Sequence, residues 1–295
     1  MPFDNWVTAI NYALLVQIAE SVDPSSSYSQ ANIASISQLG YTFLTAIYGN
    51  DLATDKTPIV SEIVSFGFLA ISSTGELVAI IRGTETIYEW IDDFKFPLVP
   101  DPIHGGAGET EDGFTSVYQS LATANISPAP SVLTTIEGYL QPGSGVTVSS
   151  ITIAGHSLGG ALATLLAYDV ALNTSVKSPT VYTYASPKTG NSDFAGSFNS
   201  TVTNSYRIYN SLDKVPDAPP IGYTPVNAPV LLTVPADTVN DNIICPHHLS
   251  TYLWLLGELA YSTDKNPYAV VDGCRGSQYP GPFGPFGQQE PSFVP

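Results

Sequence analysis

Basic residues are scarce in this chain: nine Lys and Arg stand against 26 Asp and Glu among 295 residues, a formal net charge of −17. A surface of that sign repels phosphate backbones and anionic bilayers, and no basic patch offsets it, so nucleic-acid binding is excluded. Long apolar runs are missing too. No stretch of about 20 apolar residues could cross a bilayer, and the N-terminal MPFDNWVTAINYALL has an aspartate where a secretory leader would carry positive charge. The expectation is that a leader has been removed or never existed. Only two cysteines occur, Cys245 and Cys274, too few for a disulfide framework or a four-cysteine zinc site. They either pair, which would stabilise the fold by about 3–4 kcal/mol, or remain buried thiols. Charged residues make up 12% of the chain, too few for a disordered or salt-adapted protein. Ser, Thr, Gly and Pro are plentiful, as in many exported enzymes, and a secreted location is expected on that ground.

What is present is most informative between Ser149 and Leu172, SSITIAGHSLGGALATLLAYDVAL. Val146, Val148, Ile151 and Ile153 form a β-branched run, and Leu162, Leu165, Leu166, Val170 and Leu172 supply an apolar helix after it. Between them, Gly155-His156-Ser157-Leu158-Gly159 reads as a nucleophile elbow. A bare Gly-x-Ser-x-Gly arises by chance in chains this rich in glycine and serine; the strand-turn-helix setting is what makes Ser157 a nucleophile candidate. The serine also begins a helix, where amides without helical partners stabilise a developing oxyanion.

The length suits one large domain. Helical spacing covers 5–21 and a second stretch with Ile33, Ile36, Leu39, Phe43 and Ile47, so two helices are expected ahead of the sheet. Residues 62–71 and 76–82 read as an antiparallel hairpin turning at Ser72-Ser73-Thr74-Gly75. Helices at 113–125, 131–140, 158–173 and 190–199 then alternate with strands at 146–154, 180–185 and 203–209. The expected class is α/β, a sheet with helices on both faces. One domain over 1–275 is followed by a Pro/Gly-rich tail, 276–295, which is not expected to form a core element; Phe283 and Phe286 could make it a lipid or partner patch.

A nucleophilic serine needs a base and a carboxylate that orients it. His104 lies upstream in a glycine-rich loop and His156 occupies the variable elbow position. His247 and His248, ahead of the helix LSTYLWLLGEL, come late enough in the chain, and one of the pair is the expected base. Asp241 or Cys245 could join them only in a metal site of irregular spacing, so no metal is expected. Asp213 follows the strand Tyr206-Arg207-Ile208-Tyr209, and Asp217 is its rival as the acid. The amide of Leu158 and that of Thr84, in Arg82-Gly83-Thr84, are the expected oxyanion donors. Downstream, Thr86 and Glu89 are spaced as a capping box, and Ile87, Trp90, Ile91 and Phe94 share one helical face. Such a stripe usually packs on a core. Just past Thr84, among Pro97, Pro100, Pro102, Gly105 and Gly106, it is read as a mobile lid over about 84–97.

Together these residues resemble the class 3, or fungal-type, triacylglycerol lipases, an α/β-hydrolase family. The resemblance runs from about residue 60 to 257 through Arg82-Gly83-Thr84 with Trp90-Ile91-x-Asp93, GHSLGGALA at 155–163, Ser186-Pro187-Lys188-Thr189-Gly190-Asn191, Asp213-x-Val215-Pro216-x-x-Pro219-Pro220 and His248-Leu249-Ser250. It implies a mostly parallel sheet, a helical lid, no cofactor, and a triad of Ser157, Asp213 and His248 acting on triacylglycerol at an oil–water interface, and a monomer is expected. Where the family commonly shows His-x-Gly-Phe this chain has Glu111-Asp112-Gly113-Phe114. Esterases for feruloyl or short soluble esters and phospholipases A1 share the same chemistry and stay open as alternatives. More distant are a peptidase and a non-catalytic binding protein of the hydrolase fold.

Overall fold

A computed structural model describes residues 5–51, 62–84, 97–124, 128–227, 229–261 and 265–280. Its centre is a seven-stranded sheet. Strand β2 (Glu62–Ser72) runs antiparallel to both of its neighbours, β1 (Tyr41–Asp51) and β3 (Glu76–Ile81), and β2 and β3 form the expected hairpin. From β3 onward the sheet is parallel: β6 (Ser150–His156), β7 (Thr180–Tyr184), β8 (Asn204–Asn210) and β9 (Pro229–Leu232) follow side by side in chain order. A small antiparallel pair, β4 (Leu98–Pro100) with β5 (Glu109–Glu111), stands apart.

Each central strand is apolar on both faces because both are covered. Successive side chains of a strand point to opposite sides, so Leu77, Ala79 and Ile81 of β3 join one core and Val78 and Ile80 the other. On the first face lie α3 (Asp112–Ser120), α4 (Val132–Leu140), α5 (Leu158–Asn173) and α6 (Ser192–Thr201). On the second lie α1 (Trp6–Glu20), α2 (Gln30–Gln38) and α7 (Leu249–Ala260), with α1 packed along α7. Helix α5 is apolar on nearly every side and buried on nearly every side, as its central place requires. Each of Leu162, Leu165 and Leu166, fully buried there, contributes about 2 kcal/mol of hydrophobic stabilisation.

The expected second helix ends early. Helix α2 stops at Gln38, Gly40 turns the chain with φ +90°, and Phe43 and Ile47 lie on β1. Strand β9 and the β4–β5 pair were not anticipated. The tail also begins later than residue 276: the Gly276 amide donates to Thr238 O at 3.0 Å and the Gln278 amide to Asp237 O at 2.8 Å. Tyr279 stacks edge-on against Trp254, ring centroids 5.4 Å apart, and so belongs to the second core. Phe283 and Phe286 lie outside the described residues. Cys245 and Cys274 form a disulfide. No described helix is long and apolar enough to cross a membrane.

Candidate active site

The parallel strands end at one edge of the sheet, where sites gather in open α/β folds, and every proposed catalytic side chain hangs from a loop there. Ser157 sits between β6 and α5 with φ 57° and ψ −128°, a strained backbone for a residue with a side chain. The turn closes only because its flanks lack side chains. A Cβ on Gly155 would meet Gly159 O at 2.1 Å, and one on Gly159 would meet Ile81 O at 2.3 Å. The sharp turn and the placing of the serine at the strand edge are thus one geometric fact, although the side chain itself is buried there.

The partner of Ser157 Oγ is Nε2 of His247, 2.9 Å away; His247 Nδ1 lies 2.9 Å from Asp213 Oδ2. A carboxylate only accepts, so Nδ1 carries the ring proton and Nε2 accepts from the serine hydroxyl. All three residues are buried. Burial holds the His247 ring below the usual histidine range against the opposing pull of Asp213, which leaves a neutral base at neutral pH. Asp213 is fixed in turn: Tyr252 Oη donates to Oδ2 at 2.7 Å, the Val215 amide donates to Oδ1 at 3.0 Å, and Asn210 Oδ1 accepts the Asp213 amide at 3.1 Å. Asn210 Nδ2 also donates to Pro246 O at 2.6 Å, tying the loop of the acid to the loop of the base. The rival acid, Asp217, is exposed in the short helical turn Val215–Asp217.

His248 is not the base. It is the exposed N-cap of α7, and its Nδ1 accepts the Ser250 amide at 3.2 Å. An N-cap side chain turns back toward the amides of its own helix, while the residue before it faces inward, so a one-residue offset exchanges surface for site. The signal was in the sequence, since His248-Leu249-Ser250 opens the helix and His247 therefore precedes it. Tyr252 and Asn210 were missed because nothing local marks a tyrosine on a helix or an asparagine at a strand end as a carboxylate's partner.

The loop after β3 reaches the same point. A Cβ on Gly83 would lie 2.9 Å from Ser157 Cβ. Buried Arg82 donates from Nε to Ser65 O at 2.6 Å and from a terminal nitrogen to Gly83 O at 3.1 Å. In a trans peptide the C=O and N–H point opposite ways, so this grip fixes the direction of the Thr84 amide. Leu158, the first residue of α5, presents an amide without an intrahelical acceptor. Ile87, Trp90, Ile91 and Phe94, and the lid read over them, lie outside the described residues. Glu111 caps α3 and accepts the Phe114 amide at 2.7 Å. No group of three or more potential ligands able to hold a metal occurs among the described residues.

With this geometry in view, the chain was compared with known proteins. A model of the family described as lipase (class 3) matches residues 78–223. Over that segment, just under half of its length, the chain matches the class 3 lipase family. The segment matched starts within β3, takes in the elbow and the Asp213 loop, and stops before His247. Among curated relatives, phospholipase A1-II 1 of Oryza sativa subsp. indica is 36% identical over 169 residues, 53% of this chain and 43% of the relative. Phospholipase A1-II 3 of the same source is 33% identical over 236 residues, 70% of this chain and 56% of the relative. The chain thus spans about half the length of these relatives. Among solved structures, Lip2 lipase from Yarrowia lipolytica superposes with a TM-score of 0.60 at 20% identity, covering 81% of this chain and 82% of that one. The chain shares with that structure the α/β-hydrolase fold.

Proposed function

We propose that the chain hydrolyses carboxylic esters of lipids through a serine acyl-enzyme. The observation that carries the proposal is the hydrogen-bonded line from Ser157 Oγ through His247 to Asp213. His247 Nε2 takes the Ser157 proton as Oγ bonds to the ester carbonyl carbon, and the carbonyl oxygen becomes an anion facing the Thr84 and Leu158 amides. The C–O bond to the alcohol then breaks, and the alcohol leaves with the proton held by His247. Water repeats the sequence on the acyl-enzyme: it gives a proton to His247, attacks the acyl carbon, and releases the fatty acid as the proton returns to Ser157.

Triacylglycerol is the substrate that the sequence motifs support. Phospholipid cleaved as by a phospholipase A1 is supported by the names of the plant relatives. The apolar face of Ile87, Trp90, Ile91 and Phe94 supports a cover that opens on lipid, and a jump in rate where substrate passes its solubility tests that. The disulfide supports export to an oxidising compartment. Hydrolysis of tributyrin, triolein and phosphatidylcholine, with Ser157→Ala as control, tests reaction and substrate together. Release of fatty acid that Ser157→Ala abolishes is the expected result. No hydrolysis of any of the three by the wild-type chain would refute the proposal.

A further inference from the structure

The elbow histidine, which the catalytic steps do not use, has both ring nitrogens engaged. His156 Nδ1 lies 2.7 Å from Glu20 Oε1, at the end of α1, and His156 Nε2 lies 2.8 Å from the backbone O of His247. Both partners are acceptors when Glu20 is ionised. A neutral imidazole has one N–H and can serve one of them; only the doubly protonated ring serves both. We propose that Glu20 holds His156 as a permanent imidazolium that grips the main chain of the catalytic base and keeps His247 unprotonated to lower pH. The inference rests on the Ser157–His247–Asp213 reading above.

The two imidazoles are near neighbours, with ring centroids 4.9 Å apart. Among the described residues, the titratable groups facing His156 are Glu20 on α1, Asp213 in the loop after β8, His247, and on α7 its cap His248 and Tyr252, whose ring centroid is 6.2 Å away. Burial alone would keep His156 neutral, but the charge and hydrogen bond of Glu20 outweigh it and raise the ring above its usual range. Burial likewise works against the charge on Glu20, yet the facing imidazolium holds its carboxyl below the usual range. The charge of His156 acts on His247 more strongly than that of Glu20, so the net field of the pair disfavours a second proton on the base. Glu20 and His156 are positioning residues, since neither touches the reacting atoms. The Glu20 side chain is 28% exposed, and His156 is the shielded member of the pair.

Nitrogen-15 NMR of labelled histidine in the full chain reads this directly, because there are only four histidines and His104→Gln and His248→Gln assign the rest. In the wild-type protein His156 is expected to carry both ring protons at pH 7 while His247 is neutral. In Glu20→Gln, whose amide can still donate to Nδ1 and preserve the Nε2–H to His247 O, His156 becomes neutral at pH 7. The His247 pKa then rises by about half a unit, the difference of the two lost charges acting through a partly screened interior. The acid limb of kcat/KM on a soluble ester moves up with it, a change that a merely structural glutamate would not produce. A neutral His156 in the wild-type chain, or an unmoved His247 in Glu20→Gln, would overturn the inference. If Glu20→Gln does not fold, the wild-type titration alone decides. Loss of the lipid-hydrolysis reading would show instead as no turnover, with both histidines titrating as described.

Discussion

The choice between two adjacent histidines is where single residues decide the chemistry. His247 touches both Ser157 and Asp213, whereas His248 caps a helix at the surface. His247→Ala is therefore expected to lower kcat at least about 10⁴-fold. His248→Ala should leave kcat within about threefold and cost about 0.5–1 kcal/mol of stability as a lost cap. Steady-state kinetics beside thermal unfolding of the two variants checks this, and the reverse pattern would return the role to His248. Ser157 and Asp213 were legible in the sequence because the requirement on each is local: glycines around a sharp turn, and an aspartate just past a strand. The base was legible only as a pair. Which member faces inward depends on where the helix starts, and helix ends shift by a residue or two with cap geometry. Tyr252 and Asn210 serve Asp213 across 39 and 3 positions of sequence respectively, and neither carries a pattern of its own.

At the scale of elements, the strands and helices around the elbow follow from period and composition, since β3, β6 and β7 are largely apolar or β-branched runs buried on both faces and β8 places its aromatic and aliphatic residues in a half-buried strand. Strand β1 did not read that way. Its Phe43 and Ile47 continue the helical spacing of Ile33, Ile36 and Leu39, and only Gly40 marks the break; pairing with β2 then overrides the local pattern. The loop that presents His247 hangs between β9 and α7, and the Cys245–Cys274 bridge anchors it two residues before the base. The bridge closes a separation of 29 residues, which on the chain-entropy estimate stabilises the fold by about 3–4 kcal/mol. The double variant Cys245→Ser/Cys274→Ser should lose about that much in denaturant unfolding. Activity should fall at temperatures well below its unfolding midpoint as the His247 loop loosens. An unchanged midpoint would show that α7 and Tyr279 hold the loop without the bridge.

For the whole molecule, acidity bears on stability through one carboxyl in particular. Burial pushes Glu111 up to about 7, although the Phe114 and Gly113 amides hold it down. The folded chain thus binds a proton more tightly there than the unfolded chain does, and stability falls as pH rises from about 4.5 to 7 and stays reduced above. Glu111→Gln keeps an oxygen to accept the Phe114 amide and carries no charge. It should be more stable than wild type at pH 8 by up to about 3 kcal/mol, with the gap closing toward pH 4; denaturant unfolding across that range measures it. A constant gap would mean that Glu111 acts by packing. The broad architecture, one sheet with a helical layer on each face, was legible because it rests on summed periodicity. The docking of residues 276–280 was not, since Tyr279 and two main-chain hydrogen bonds tether a segment whose composition reads as loop. The central claim remains that loops from three strand ends meet at one acyl-transfer centre. Its most direct test is labelling by a nitrophenyl alkylphosphonate, with release of nitrophenol timed and the adduct located by peptide mass spectrometry. The account predicts one phosphonyl group per chain on Ser157, formed at wild-type rate in His248→Ala and at a rate reduced by orders of magnitude in His247→Ala. An adduct on another residue, or rapid labelling of Ser157 in His247→Ala, would contradict it.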